Sequence, residues 1–152
     1  MKARWAGTAA ALAVTLTAGV ALGQGAAEVI KARQQGYKAQ GAAFKTINDE
    51  LKKGSPNIAA IRTASKVLTD TGNLQYSWFP RGSGPEAGVK TAAKPEIWSD
   101  AAGFSAAQKG FQAEAVKLGQ AAAKGDVGAL RAQAGAIGKT CSACHNKFRV
   151  KS

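Results

Sequence analysis

One His, one Met and two Cys are the only soft metal ligands in this chain of 152 residues, and nine acidic side chains face 21 basic ones. Each scarcity excludes something. One His with two Cys cannot assemble a four-ligand protein zinc site, and two Cys cannot staple a multi-disulfide scaffold. No segment alternates with a period of two, so the sequence offers no strand. The single Met is Met1, which leaves everything after it without a thioether. What is present suffices for a core: 45% of residues are hydrophobic and only 20% charged, too apolar a balance for a disordered tail. The length suits one domain. The formal charge of +12 comes with no nucleic-acid recognition motif and argues for no nucleic-acid partner.

The first residues read as an export signal. Lys2 and Arg4 form a short positive region, no charged residue follows between Trp5 and Ala27, and Ala10 to Leu22 is Ala, Leu, Val, Thr and Gly. Ala21-Leu22-Gly23 places small residues at the −3 and −1 positions of a cleavage site. An uncleaved anchor is the competing reading, but the apolar stretch is rich in Ala and Thr and only weakly greasy. No Arg pair precedes it, which favours a general secretory route. Residues 1–23 are therefore expected to be a cleaved signal peptide and 24–152 the mature domain. Cleavage removes Lys2 and Arg4, takes the formal charge from +12 to +10 and leaves no segment for stable membrane insertion.

The remainder is expected to hold four helices and one long loop. Ile30, Tyr37, Phe44 and Leu51 recur every seven residues, with Ile47 between them, which predicts a helix from about Ala27 to Lys53. Gly54-Ser55-Pro56 ends it, and Ser55 as N-cap with Pro56 at the first helical position starts a second helix running to about Tyr76. A third begins after Ser99-Asp100 with Phe104, Phe111 and Leu118 at heptad spacing, closed by Lys124-Gly125. Asp126 caps a fourth, in which Val127, Leu130, Ala134, Ile137, Cys141, Cys144 and Phe148 alternate by three and four. Trp78 to Pro95 carries three of the four Pro and reads as loop. The fold expected is all-α, an antiparallel four-helix bundle with a long middle connection.

The chemistry lies near the end of the fourth helix. Cys141-Ser142-Ala143-Cys144-His145 is a C-x-x-C-H segment, the pattern of covalent c-type haem attachment. Cysteines at i and i+3 lie one turn apart on one face, so both thiols reach the vinyl groups of one haem edge while His145 ligates the iron. A buried structural Cys pair and a thiol–disulfide active site compete, although the latter usually opens a helix beside a βαβ unit. Because both Cys sit on the apolar stripe, the haem is expected to be buried inside the bundle. Tyr37, Phe44, Phe104, Phe111, Phe148 and the pair Trp78-Phe79 are candidate walls.

A haem that only carries electrons usually has two strong axial ligands. His145 excludes a second His by being alone, and no Met outlasts export. Lys, Tyr, water or nothing remains for the sixth position. A ligating Lys would need its pKa lowered by several units and a phenolate would need charge compensation. Five-coordinate iron with an open or sterically guarded distal face is the simplest reading.

These residues resemble the class II c-type cytochromes, the cytochrome c-prime family of bacterial periplasmic haem proteins. The resemblance covers essentially the whole mature chain. It is carried by Cys141 to Arg149, by Lys94-Pro95-Glu96-Ile97-Trp98-Ser99-Asp100, and by Ile30 to Gln34 with Tyr37, Gly41 and Phe44. It implies one haem c joined through Cys141 and Cys144, with His145 as the proximal metal ligand. Arg149 matches a basic residue beside the proximal face, and is otherwise a solvated charge in a basic tail. Arg33 matches an Arg that approaches a haem propionate, whereas spacing alone would leave it on the surface. Tyr37 falls where low-spin relatives carry a ligating Met and five-coordinate ones a bulky non-ligand. Trp78 matches an aromatic packed against the haem edge. The implied role is binding of nitric oxide and carbon monoxide in the periplasm rather than enzymatic catalysis, with no catalytic residue assigned. Oxygen is expected to bind poorly in a pocket so apolar. The alternative is an electron carrier docking with a periplasmic redox protein, and a homodimer is the oligomer the family implies.

Overall fold

The computed structural model describes residues 18–151. Five helices follow one another: α1 (Ala18–Leu51), α2 (Ile58–Leu74), a single turn α3 (Glu96–Ser99), α4 (Ala101–Lys124) and α5 (Val127–Phe148). The four long ones form a four-helix bundle. α1 packs on α2, α2 on α4 and α4 on α5, whereas α5 meets α1 only sparsely. Among the described residues no strand forms, and no helix is long and apolar enough to cross a membrane. α1 runs unbroken through the junction after Gly23; the rest of the expected export signal, residues 1–17, lies outside the described residues.

The heptad stripes make the core. Ile47, Ile61, Leu118, Leu130 and Ile137 are fully buried where the four long helices meet. A second, smaller cluster forms from Ala93, Ile97, Phe104 and Phe148, with Phe79, Trp98 and Cys144 packed against it. The helix ends follow local chemistry. Asp126 accepts a bond from the Ala129 N–H at 3.0 Å and Asp100 from that of Gly103 at 3.0 Å, each satisfying a donor that the first turn leaves free. Gly125 closes α4 in the left-handed region, φ 71°, where a Cβ would be strained.

One expected cap is corrected. The N-cap of α2 is Asn57, not Ser55: its side chain accepts from the Ala60 N–H at 3.0 Å, and its own N–H donates to Glu50 Oε2 at 3.0 Å. Asn caps as well as Ser, and the Glu50 carboxylate fixes Asn57 across the turn. Pro56 therefore precedes the cap instead of opening the helix.

The long connection is less formless than its Pro and Gly content suggests. Between α2 and α4 it runs through a 3₁₀ turn at Gln75–Ser77, where the second helix was expected to continue to about Tyr76, another at Pro85–Ala87 within the expected loop, and the turn α3 just after it. Near its end it pairs with the chain after α5: Lys94 N–H donates to Phe148 O at 3.0 Å and Val150 N–H to Ala92 O at 2.9 Å, with Ala93 opposite Arg149. Lys147 bonds Asp100 at 2.5 Å beside this tie.

Candidate functional site

The sparse contact between α1 and α5 leaves a cleft of about 840 Å³, within the range of small-molecule sites. It interrupts the core. Leu68, Phe111 and Ile137 of the main cluster line one part, and Ile97, Phe104 and Phe148 of the smaller cluster line another. The i, i+3 spacing of the two cysteines spans both: Cys141 packs against the main cluster and Cys144 against the smaller one. Both thiols are free and half-buried, and His145 beside them is exposed at the cleft. A second depression of about 560 Å³, between α2 and α4, holds neither Cys nor His.

Burial sets the electrostatics. It pushes the Cys144 thiol up to about 11, with Cys141 adding to the effect, and raises Cys141 as well. A reactive thiolate needs the opposite shift, which argues against the thiol–disulfide reading. Burial lowers His145, and Arg149 adds to this, so the imidazole is neutral near pH 7 with a lone pair free for a metal. Tyr37 is raised by burial first and then by Cys144, so its phenol keeps its proton. A phenolate ligand is disfavoured on that account.

The α1 wall presents Arg33, Tyr37, Gln40, Gly41 and Phe44, residues three or four apart and hence on one face. The spacing alone had suggested an exposed Arg33; it is 3% exposed. The long connection folds over it and binds it. Nη1 donates to Ser83 Oγ at 3.0 Å and Trp78 O at 3.4 Å, and Nη2 to Ser83 O at 2.7 Å and Thr91 Oγ1 at 2.8 Å. The guanidinium also lies 4.7 Å from the centre of the Phe79 ring. No carboxylate pairs with it among the described residues.

Tyr37 stands edge-on to Trp78, ring centres 5.0 Å apart, and 6.1 Å from Phe79. Phe79 continues to Phe104 at 4.8 Å and Phe104 to Phe148 at 5.1 Å. Of the seven aromatic walls expected, six line the cleft and Trp78 does not. Trp78 packs instead behind Tyr37 on α1, where Gly36 leaves a gap in the helix surface that the indole fills. A methyl group at Gly36 would overlap three atoms of the indole ring. Gly36→Ala should therefore displace Trp78 and cost about 1–3 kcal/mol, read as a lower denaturant midpoint together with a changed tryptophan emission.

The cleft is largely apolar but not wholly so. Gln40, Gln75 and Gln108 all border it. Gln75 and Gln108 satisfy each other, Nε2 of each donating to the other's backbone carbonyl at 3.2 and 2.9 Å. Spacing could have found Gln40, one turn from Tyr37. Nothing in the sequence marked the Gln75–Gln108 pair, which joins the end of α2 to α4.

The family model for Cytochrome C' matches residues 28–149. The chain belongs to the cytochrome c' family. Cytochrome c' of Alcaligenes xylosoxydans xylosoxydans is 38% identical over 125 residues, covering 82% of this chain and 94% of the relative. A solved nitric oxide complex of a mutant cytochrome c' from Alcaligenes xylosoxidans is 34% identical with a TM-score of 0.75, covering 84% of this chain and 97% of that one. A carbon monoxide complex of another variant of that protein is 35% identical with a TM-score of 0.72, covering 81% and 94%. The cytochrome c' match includes the whole C-x-x-C-H segment, and with it the α5 side of the cleft.

Proposed function

We propose that the cleft would hold one haem c, thioether-linked through Cys141 and Cys144, with His145 as the protein ligand to its iron and no second strong ligand. The observation that carries this is one cleft bordered by both thiols and the His145 imidazole, whose α1 wall presents Tyr37 and neither Met nor a second His. The residues fit the group: the lining is largely apolar, the thiols are unpaired, and the buried Arg33 charge has no carboxylate partner until a propionate supplies one. When bound, the haem supplies an iron that can take a neutral diatomic ligand or pass one electron. The solved relatives carrying nitric oxide and carbon monoxide support gas binding here.

The chain's own residues set the selectivity. Tyr37, backed by Trp78, keeps its bulk in the cleft, so an incoming ligand must displace it and weak ligands are excluded. Arg149 is the C-cap of α5, its N–H held by His145 O at 3.1 Å, and it borders the cleft beside the imidazole. Its fixed charge can assist a ligand that approaches from the His145 side. Export to the periplasm, cleavage near Gly23 and dimer formation complete the reading.

Tyr37→Ala should bind carbon monoxide at least tenfold faster, since one aromatic side chain displaced is worth more than about 1.4 kcal/mol; stopped-flow rates equal to the parent's would defeat the lid. Electron transfer is the second reading, favoured by exposed Lys31 and Lys38 on the cleft rim. The visible spectrum separates the two. Broad high-spin bands in the reduced protein, changed by nitric oxide, support gas binding, and sharp split bands support a six-coordinate carrier.

A further inference from the structure

Four buried side-chain polar atoms lack a partner among the described residues, on Gln40, Ser65, Gln112 and Gln133, and of these residues only Gln40 borders the cleft. Its Nε2 is shut away from solvent and donates to nothing. A buried donor without an acceptor destabilises a fold, so native structures leave few of them. The other two cleft amides, Gln75 and Gln108, are already spent on each other. Gln40 thus stands out as a donor held for an acceptor that the chain itself does not provide.

Its position says which acceptor. Along the α1 wall Arg33 lies one turn before Tyr37, and its charge suits a carboxylate at that end of the cleft. Gln40 lies one turn beyond Tyr37 and one turn before Phe44 on the same α1 wall. Phe44 itself reaches across to α5 at Gly138. A carboxylate carried in among apolar side chains would lose its hydration, whereas Arg33 offers it a buried cation one turn before Tyr37. A small neutral molecule with a polar outer atom needs no such cation. Tyr37 and Gln40 lie three residues apart on one helix face, so a ligand that moves the phenol aside comes within one turn of helix of Gln40.

Resting on the haem reading above, we infer that Gln40 is the hydrogen-bond donor for the outer atom of a diatomic ligand held behind Tyr37. The carboxamide N–H donates, the ligand's outer atom accepts, and no bond is made or broken. Ligands with a polar outer atom, oxygen and nitric oxide among them, are then favoured over carbon monoxide relative to a pocket without the amide.

The test uses the full haem-loaded protein. The infrared C–O stretch of the ferrous carbonyl adduct is compared between Tyr37→Phe and Tyr37→Phe/Gln40→Leu, the phenylalanine removing the phenol as a rival donor. A donor near the ligand lowers the C–O frequency, so the double variant should absorb at higher frequency. Its band should also be insensitive to deuterium oxide, whereas the Tyr37→Phe band should shift. Identical bands in both chains, with no deuterium effect in either, would overturn the assignment. Gln40→Met, close in volume, replaces Gln40→Leu if the latter folds poorly, and the deuterium comparison on Tyr37→Phe needs no second variant. A parent chain with no covalently held haem fails before this comparison and overturns the haem reading itself, so the two failures are distinct.

Discussion

With both thiols removed, in Cys141→Ala/Cys144→Ala, acidified organic solvent should strip all colour from the purified protein. The parent's colour should stay with the polypeptide under the same extraction. Each single variant should keep one covalent link, and with it a reduced-state absorption band shifted by the one unreacted vinyl group. The reason is geometric. One turn of α5 sets the two sulfurs against different apolar clusters, so each thiol meets a different part of whatever fills the cleft. A second readout is stability. The cleft of about 840 Å³ is lined by Phe104, Phe111, Phe148 and Ile137, which lose their packing partner when nothing is anchored there. Large unfilled apolar volumes are strongly destabilising, so the double variant should also unfold at lower temperature and respond to added haem, as linkage requires. Extraction that leaves colour on the double variant would defeat the thioether assignment.

Arg33→Leu should lower stability by about 3 kcal/mol, or roughly 10 °C in Tm for a domain of this size. Two oxygens of Ser83, one of Thr91 and the Trp78 carbonyl depend on this one guanidinium. Ser83 Oγ keeps its own bond to Pro80 O at 2.8 Å, but Ser83 O loses a 2.7 Å donor at a residue only 2% exposed. A charged donor to a buried carbonyl is worth more than a neutral one, and an acceptor left dry carries the full desolvation cost. The loss of a buried, unpaired cation offsets part of this, which keeps the estimate below the sum of four bonds. Arg33→Lys should recover only a fraction, because one ammonium cannot reproduce the planar fork that serves four acceptors. Circular dichroism melts of the three proteins measure the effect. A melt of Arg33→Leu within 2 °C of the parent's would show the contacts to be incidental, since that corresponds to under about 1 kcal/mol.

Arg33 also marks where sequence reasoning stops. Heptad spacing placed the bundle helices and their apolar faces, and the C-x-x-C-H segment located the α5 side of the cleft, because both are local patterns. Asp100, Gly125 and Asp126 were legible for the same reason. Local rules put the cap of α2 at Ser55, two residues before the Asn57 that caps it, and the distant Glu50 carboxylate accompanies that outcome. They could not bury Arg33 either, since its partners lie in the connection between α2 and α4, whose course no periodicity describes. Trp78 was recognised as an aromatic near the site, but its place depends on a missing side chain at Gly36, which no pattern of present side chains reveals. Gln40 lay on the predicted face. Its unmet donor became visible only when every neighbour's bonds were counted.

The short tie between Ala92–Lys94 and Phe148–Val150 also bears on the order of events during folding. It joins the end of the long connection to residues just beyond the C-x-x-C-H segment, so the backbone on one side of the cleft is pinned only after α4 and α5 have folded back on each other. Contacts between such distant segments form late, since the intervening chain must first give up its freedom. Until then Cys141 and Cys144 lie on a helix whose cover is loose, open to the haem attachment proposed above. Once Lys94 and Val150 have made their bonds, the same thiols are half-buried between two apolar clusters. The fold thus allots the two cysteines a period of access that its own completion brings to an end.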